Sequence, residues 1–310
     1  MSKGPDDMTA SCYSLVVDET GIATVGFDLP GKVNIMDDTF MQVMPRLIDR
    51  LEGMREHLRG VILTSRKSTF FAGGDLALMR RAERGQEQFL FTHFQRLKSF
   101  LRRLEKLDRP LVAAINGTAL GGGYELCLAC HRRIALANPK TRIGLPEVNF
   151  GILPAAGGVI RLTAILGLLP ALDFLVTGRA VDVAAAYVSG LIDEAVETEA
   201  MLMERAKAWI LENAGTRQVW DRPRELGAHR LSAENRGAIF QVAPWLRKSF
   251  RQPSQAAVRI ADIAAQSIFL DFDIASRIET RGFVELVLTQ EANKRISAFF
   301  ETNTRPQRLD

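Results

Sequence analysis

The sequence predicts a layered α/β domain followed by a helical C-terminal region. Three observations predict it. Strand-like apolar runs alternate with helical periodicity from Tyr13 to Ser65. A further buried run, Leu111–Ile115, leads into a glycine turn that opens a helix. Beyond Gly215 the strand-like runs stop and only helical periodicity remains. At 310 residues, 47% hydrophobic and 25% charged, the chain can build a real core, as one large domain or a catalytic domain with an appendage.

Taken in order, "YSLVVDETGIATVGFDLPG" reads as two strands around a turn at Thr20-Gly21, "TFMQVMPRLIDRLEGM" as a helix and "LRGVILTS" as a short buried strand. Between Gln86 and Leu107 lies a long amphipathic helix. Leu90, Phe94, Leu97, Leu101 and Leu104 recur at steps of four and three and predict a core-facing stripe. Lys98, Arg102 and Lys106 are expected on its solvated back, and the apolar wall is also available to a substrate tail.

"RPLVAAIN" is then a buried strand, and "YELCLACHRRIAL" a helix followed by a strand. "ALDFLVTG" and "DVAAAYVSGL" are helical, with Gly178 and Gly190 at their ends. The helix "ETEAMLMERAKAWILENA" closes the α/β part near Gly215. The resulting division is 12–215 for the α/β domain, 216–240 for a non-periodic linker and 241–303 for a C-terminal helical region.

Composition excludes several classes. A net charge of +4 is too small to argue for nucleic acid but suits an anionic small molecule. The first ten residues contain no apolar signal-peptide core, and no apolar run reaches the length of a membrane span. Three cysteines cannot all pair, so reduced thiols in a cytoplasm are expected.

Chemistry concentrates in three stretches. "INGTALGGGYELCLAC" places three glycines between a strand and a helix, exposing backbone N–H groups at a helix N-terminus where a developing oxyanion is favoured. It lacks the Lys-Ser/Thr and the spacing of a nucleotide loop. "STFFAGGDLALM" supplies a second small-residue turn at Ala72-Gly73-Gly74. Either turn alone reads as a packing requirement. "RIGLPEVNFGILPAAGG" puts Glu147 in an apolar setting, where a carboxyl is costly unless paired or protonated and acquires a raised pKa. Glu125, alone, reads equally as an acid favoured by the first turn of its helix.

Together, "FFAGGDL", "AAINGTALGGGYEL" and "GLPEVNFGILPAAGG" resemble the enoyl-CoA hydratase/isomerase (crotonase) superfamily over roughly residues 12–215. The resemblance implies a crotonase (ClpP/crotonase-like) spiral of ββα units. It implies that two backbone amides, at Ala72 and Gly122, hold the thioester oxygen of an acyl-CoA. It implies that Glu125 activates water for attack at the β-carbon and Glu147 protonates the α-carbon. Asp75, Leu76 and Gly121 fall where the family binds coenzyme A, which belongs to the substrate; no further cofactor and no metal are implied. Lys32, Arg66 and Lys67 sit near the turns that would approach its phosphates, though each alone reads as surface charge.

Other chemistry finds less support. Cys127 and Cys130 form a C-x-x-C without a second pair, in an apolar helix where buried thiols are ordinary. His131 stands where the family often has aspartate and reads as a structural substitution. His57, His93 and His229 lack partners at nucleophile spacing. The segment "DFDIASRIETRGFVELVLTQEANKRISAFF" resembles the helical linker after the hydratase part of multifunctional fatty-acid oxidation α-subunits. The chain stops at Asp310 without a dinucleotide fingerprint, so it is either an N-terminal fragment of such a protein or a stand-alone one retaining the linker, with no nicotinamide chemistry of its own.

The expected activity is reversible hydration of trans-2-enoyl-CoA to 3-hydroxyacyl-CoA in β-oxidation. Δ3-Δ2-enoyl-CoA isomerisation, alone or in addition, is the alternative, and a non-catalytic acyl-CoA-binding protein is the alternative of another class. The resemblance further implies a trimeric or hexameric assembly, or a thiolase partner in a multifunctional complex.

Overall fold

The computed structural model describes residues 12–222 and 233–304. Its frame is a six-stranded sheet built from β1 (Tyr13–Val17), β2 (Ile22–Phe27), β3 (Gly60–Ser65), β4 (Leu111–Ile115), β6 (Arg132–Leu136) and β9 (Glu194–Val196), in that spatial order. β1 and β2 form an antiparallel hairpin, and every other pairing in this sheet is parallel. A second, three-stranded sheet joins β5 (Ala119–Leu120), β7 (Ile143–Gly144) and β8 (Ala180–Val181).

The central strands read as continuous apolar runs because both faces of the sheet are covered. Val61, Leu63, Leu111 and Ala113 point into the main core, which also receives the apolar face of α1 (Asp38–Gly53). Ile62, Val112 and Ala114 point the other way, onto Leu202, Ala206 and Ile210 of α8 (Glu199–Glu212). The remaining helices of this part are α2 (Leu76–Arg80), α3 (Glu87–Glu105), α4 (Gly122–Leu128), α5 (Gly158–Leu166), α6 (Leu168–Thr177) and α7 (Val183–Val188). Left-handed glycines close two of them as expected, Gly178 at the end of α6 and Gly190 just after α7.

Four C-terminal helices follow: α9 (Ala233–Ser249), α10 (Gln255–Ser267), α11 (Phe272–Val287) and α12 (Gln290–Thr304). They are not an appendage held at a distance. α10 packs on α5 and α6, α11 on α3 and α5, and α12 on α2 and the 3₁₀ turn Glu147–Phe150. Phe283 of α11 meets Phe94 of α3 with ring centroids 4.4 Å apart, and Phe299 of α12 meets Phe150 at 5.4 Å.

Two expectations need correction. The stretch 216–240 is not a plain linker: Val219–Asp221 forms a 3₁₀ turn docked on the domain, and α9 begins at Ala233. Gln218 donates to the Ala129 carbonyl at 2.7 Å, and Trp220 stacks on Phe272 with centroids 5.2 Å apart. Residues 223–232, with His229, lie outside the described residues. Second, the back of α3 is not wholly solvated. Lys98 is only 2% exposed, and Arg102 bonds Glu105 and Asp221. Glu105, itself buried, also holds Arg161 of α5 at 2.6 Å and accepts from Trp220 Nε1 at 3.3 Å. The α-helical period marked the apolar stripe correctly, but α11 covers the polar side, and an amphipathic pattern does not say whether a second layer will arrive. The stretch read as helical from Asp273 onward forms two helices, α11 and α12, that meet around Leu288–Thr289.

Trp220 fills a site in the core rather than a linker. Trp220→Ala is therefore expected to lower the unfolding free energy by about 3 kcal/mol, the cost of a large-to-small core substitution, where a linker residue would cost below about 0.5. Denaturant unfolding of the two proteins measures the difference.

Candidate active site

Two turns that are far apart in sequence are stitched side by side by main-chain hydrogen bonds. Phe70 and Phe71 donate to the Thr118 carbonyl at 3.0 and 3.2 Å, and Leu120 donates to the Phe71 carbonyl at 3.0 Å. The chain continues from Phe71 through Ala72-Gly73-Gly74 on one side and from Leu120 through Gly121-Gly122 on the other. Their approach leaves little room for side chains. A Cβ at Gly122 would stand 2.9 Å from Met36 Sδ, and one at Gly121, where φ is +52°, would stand 2.8 Å from Glu147 Oε1.

The expected donor Ala72 does not take part in this way. Its N–H is already committed to the Asn34 carbonyl at 2.9 Å, so it cannot hold a ligand oxygen. The amides of Gly74 and Gly122 have no acceptor among the described residues, and the Gly74 nitrogen lies 3.5 Å from where a Gly122 Cβ would stand. The three small residues in a row marked the turn, but only the Asn34 pairing decides which amide is spare. Asn34 is itself fixed by a side-chain network to Leu29 N, Ser65 Oγ and the Phe70 carbonyl.

Both amides border a cavity of about 190 Å³, mostly apolar, whose wall includes Met36, Leu97, Leu153 and Phe299. Glu125 and Glu147 line it together, as do Asp75, Leu76 and Gly121. The Asp75 carboxylate caps α2, accepting from Leu78 N at 2.9 Å. Phe94 and Leu97 of the α3 stripe also face the cavity, beside half-buried His93, whose pKa burial lowers. His93 had no signal in its sequence neighbours; tertiary packing alone brings it here. Lys67, expected near the ligand phosphates, donates to the Leu29 and Gly31 carbonyls.

The two carboxyl groups differ in surroundings. Glu125 Oε1 accepts from Ala156 N and Gly158 N, both at 2.7 Å, at the N-terminal turn of α5. Glu147 Oε2 has no hydrogen-bond partner among the described residues. Burial pushes the pKa of both upward, and each is near a second carboxylate, Glu279 for Glu125 and Glu125 for Glu147. The amides on Glu125 oppose that rise. Held by two amides, Glu125 is the more easily ionised of the two, while burial raises the pKa of Glu147 with no donor on its Oε2 to oppose it.

Cys127 and Cys130 donate to carbonyls four residues earlier, those of Gly123 and Leu126, and burial raises both thiol pKa values. His131 Nδ1 accepts from Leu111 N at 3.0 Å, a link between β4 and the end of α4 that agrees with a structural substitution.

The fold and its paired turns define a crotonase-fold protein with a cavity bounded by free amides and two carboxyl groups. Sequence comparison makes this specific: the chain belongs to the enoyl-CoA hydratase/isomerase family, whose pattern matches residues 18–219. It is 32% identical over 296 residues to the fatty acid oxidation complex subunit alpha of Shewanella halifaxensis, and 33% to that of Vibrio parahaemolyticus. Each match covers 94% of this chain and 41% of the relative, so the chain spans about two-fifths of their length. Among solved structures, human mitochondrial delta3-delta2-enoyl-CoA isomerase superposes with TM-score 0.64 at 23% identity, covering 94% of this chain and 98% of that one. Enoyl-CoA hydratase from Bacillus halodurans gives 0.63 at 22%, covering 93% and 99%. Among the described residues, no helix is long and apolar enough to cross a membrane.

The raised pKa of Glu147 has a stability consequence. Below the unfolded value, near 4.3, both states carry the proton; above it the unfolded chain ionises while the folded site resists, so stability falls with rising pH. Glu147→Gln removes that loss. The variant is expected to match the wild type at pH 4 and exceed it by about 1 kcal/mol or more at pH 8, since a tenfold change in proton affinity is worth about 1.4 kcal/mol. Denaturation midpoints at the two pH values measure it.

Proposed function

We propose that the protein is an enoyl-CoA hydratase acting on the trans-2-enoyl thioesters of β-oxidation, with no cofactor beyond the coenzyme A of its substrate. The observation that carries the proposal is the asymmetry of the two cavity carboxyls beside a pair of spare amides. Adding water to an enoyl thioester builds negative charge on the carbonyl oxygen. The Gly74 and Gly122 amides, which border a mostly apolar cavity where such dipoles act strongly, are proposed to take that charge. Asp75, Leu76 and Gly121 are proposed to line the path of the coenzyme A moiety.

Proton transfers follow from the environments. Glu125, ionised, takes a proton from water as the water oxygen bonds to the β-carbon. Electrons move through the double bond onto the thioester oxygen, giving an enolate. Glu147, protonated, delivers its proton to the α-carbon, restoring the carbonyl. The net change is one water added across the double bond; one proton passing from Glu125 to Glu147 through solvent resets the pair. The reverse reaction exchanges the roles.

Glu125→Gln and Glu147→Gln are each expected to lower kcat for crotonyl-CoA hydration by about 100-fold or more, the usual worth of a positioned acid or base. Unchanged rates in both would end the assignment. Gly122→Pro removes one spare amide and puts a Cβ 2.9 Å from Met36 Sδ, and is expected to cost at least about 10²–10³ in kcat, with circular dichroism checking that the fold is kept. Isomerisation moves a proton between carbons and adds no water. Supplying a 3-enoyl-CoA in heavy-oxygen water, with mass analysis of the product, separates the two activities: label in a 3-hydroxyacyl product marks hydration, and an unlabelled 2-enoyl product marks isomerisation alone.

A further inference from the structure

The N-terminal turn of α5 carries a second carboxylate. Glu279 of α11, 154 positions beyond Glu125, accepts on Oε1 from Val159 N at 2.9 Å and Ile160 N at 3.3 Å. Those amides directly follow the Gly158 amide that holds Glu125. The Glu279 side chain is wholly buried, and its Oε2 lies 2.6 Å from Lys98 Nζ of α3. Lys98 also donates to the Ser276 carbonyl at 2.7 Å. Neither residue borders the cavity, so neither is positioned to touch a substrate.

One helix end offers about half a positive charge, which cannot balance two buried carboxylates. Lys98 supplies the missing charge from the side of Glu279. The other charged groups around Glu125 are differently disposed. Glu147, Asp75 and His93 sit on the cavity wall. Arg161 of α5 is satisfied by Glu105, and Arg133 of β6 by Asp193 near the far end of α4. Arg161 also donates to the Ala156 carbonyl at 2.7 Å, so among the described residues Arg161 and the Glu279–Lys98 pair are the charged groups that bond the backbone turn holding Glu125, and of these the pair adds a second carboxylate to its amides.

We infer that the buried Lys98–Glu279 pair is a positioning device: sharing the α5 N-terminus with Glu125, it sets how readily that carboxyl gives up its proton. Glu279 disfavours the ionised form of Glu125, and Lys98 partly offsets it. The importance of this for turnover rests on the hydratase reading, but the effect on Glu125 does not.

The test therefore reads Glu125 directly. Protein labelled with ¹³C at the glutamate carboxyl is titrated by NMR, with Glu125→Gln identifying the signal. Glu279→Gln removes a neighbouring negative charge and leaves Lys98, so the Glu125 midpoint is expected to fall by about one pH unit. The double variant Lys98→Met/Glu279→Gln removes both charges, and its midpoint should lie between those of Glu279→Gln and the wild type. A merely structural role would lower thermal stability and leave the midpoint where it was; an unmoved midpoint in folded Glu279→Gln overturns the inference. Should that variant not fold, the charge-balanced double variant decides: a midpoint below the wild type sustains the inference and an unchanged one overturns it. In parallel, the acid limb of kcat for crotonyl-CoA hydration should move down with the midpoint. A shifted midpoint in a protein that hydrates nothing would sink the hydratase reading while leaving this inference standing.

Discussion

The N-terminal turn of α5 is the constraint on which the site depends. Its amides, from Ala156 to Ile160, are unsatisfied within the helix and buried, so they need acceptors from elsewhere. Glu125 reaches them from α4 and Glu279 from α11. A single turn of backbone therefore orients a cavity carboxyl, anchors the C-terminal helices to the α/β layers and draws Lys98 into the interior. The same helix carries Arg161, which reaches Glu105 and, through it, Arg102, Asp221 and Trp220. Buried polar groups of this kind are tolerated because each meets a partner, and removing one member leaves the other exposed to a desolvated interior.

The second requirement is close approach of backbone to backbone. An amide can serve a ligand only if the fold leaves it without a partner while satisfying its neighbours. That is what happens at 72–74, where Asn34 takes the amide of Ala72 and leaves that of Gly74 open. The parallel contact between Phe71 and Ala119 aligns this turn with the 121–122 turn, and the absence of side chains at Gly121 and Gly122 makes room for Glu147 and Met36. Stability is given up here: burying Glu147 with one oxygen unpartnered is unfavourable when the group ionises, and a raised pKa is the consequence. A carboxyl in that condition is a proton donor in waiting.

The C-terminal helices extend the site rather than follow it. α12 contributes Phe299 to the cavity wall and α11 contributes Glu279 behind it. An apolar pocket closed by elements from both ends of the chain keeps water scarce where charge would develop, and amide dipoles act more strongly there than in bulk water.

Much of this was legible in residue order. Periodicity marked the strands and helices of the α/β part because each buries a face or both faces, and glycine, capping and apolar-run signals are local. Two of the glycine-punctuated stretches carry Gly122, Glu125 and Glu147, which line one cavity. What order along the chain did not determine was partnership. Whether Ala72 or Gly74 keeps a free amide depends on Asn34, nearly forty residues upstream. Whether Lys98 meets water or Glu279 depends on a helix that begins at Phe272, and whether Trp220 belongs to a linker depends on the ring of that same Phe272. Local sequence determines backbone conformation and which face is apolar; hydrogen-bond and charge partners come from distant segments, and only the packed chain decides them.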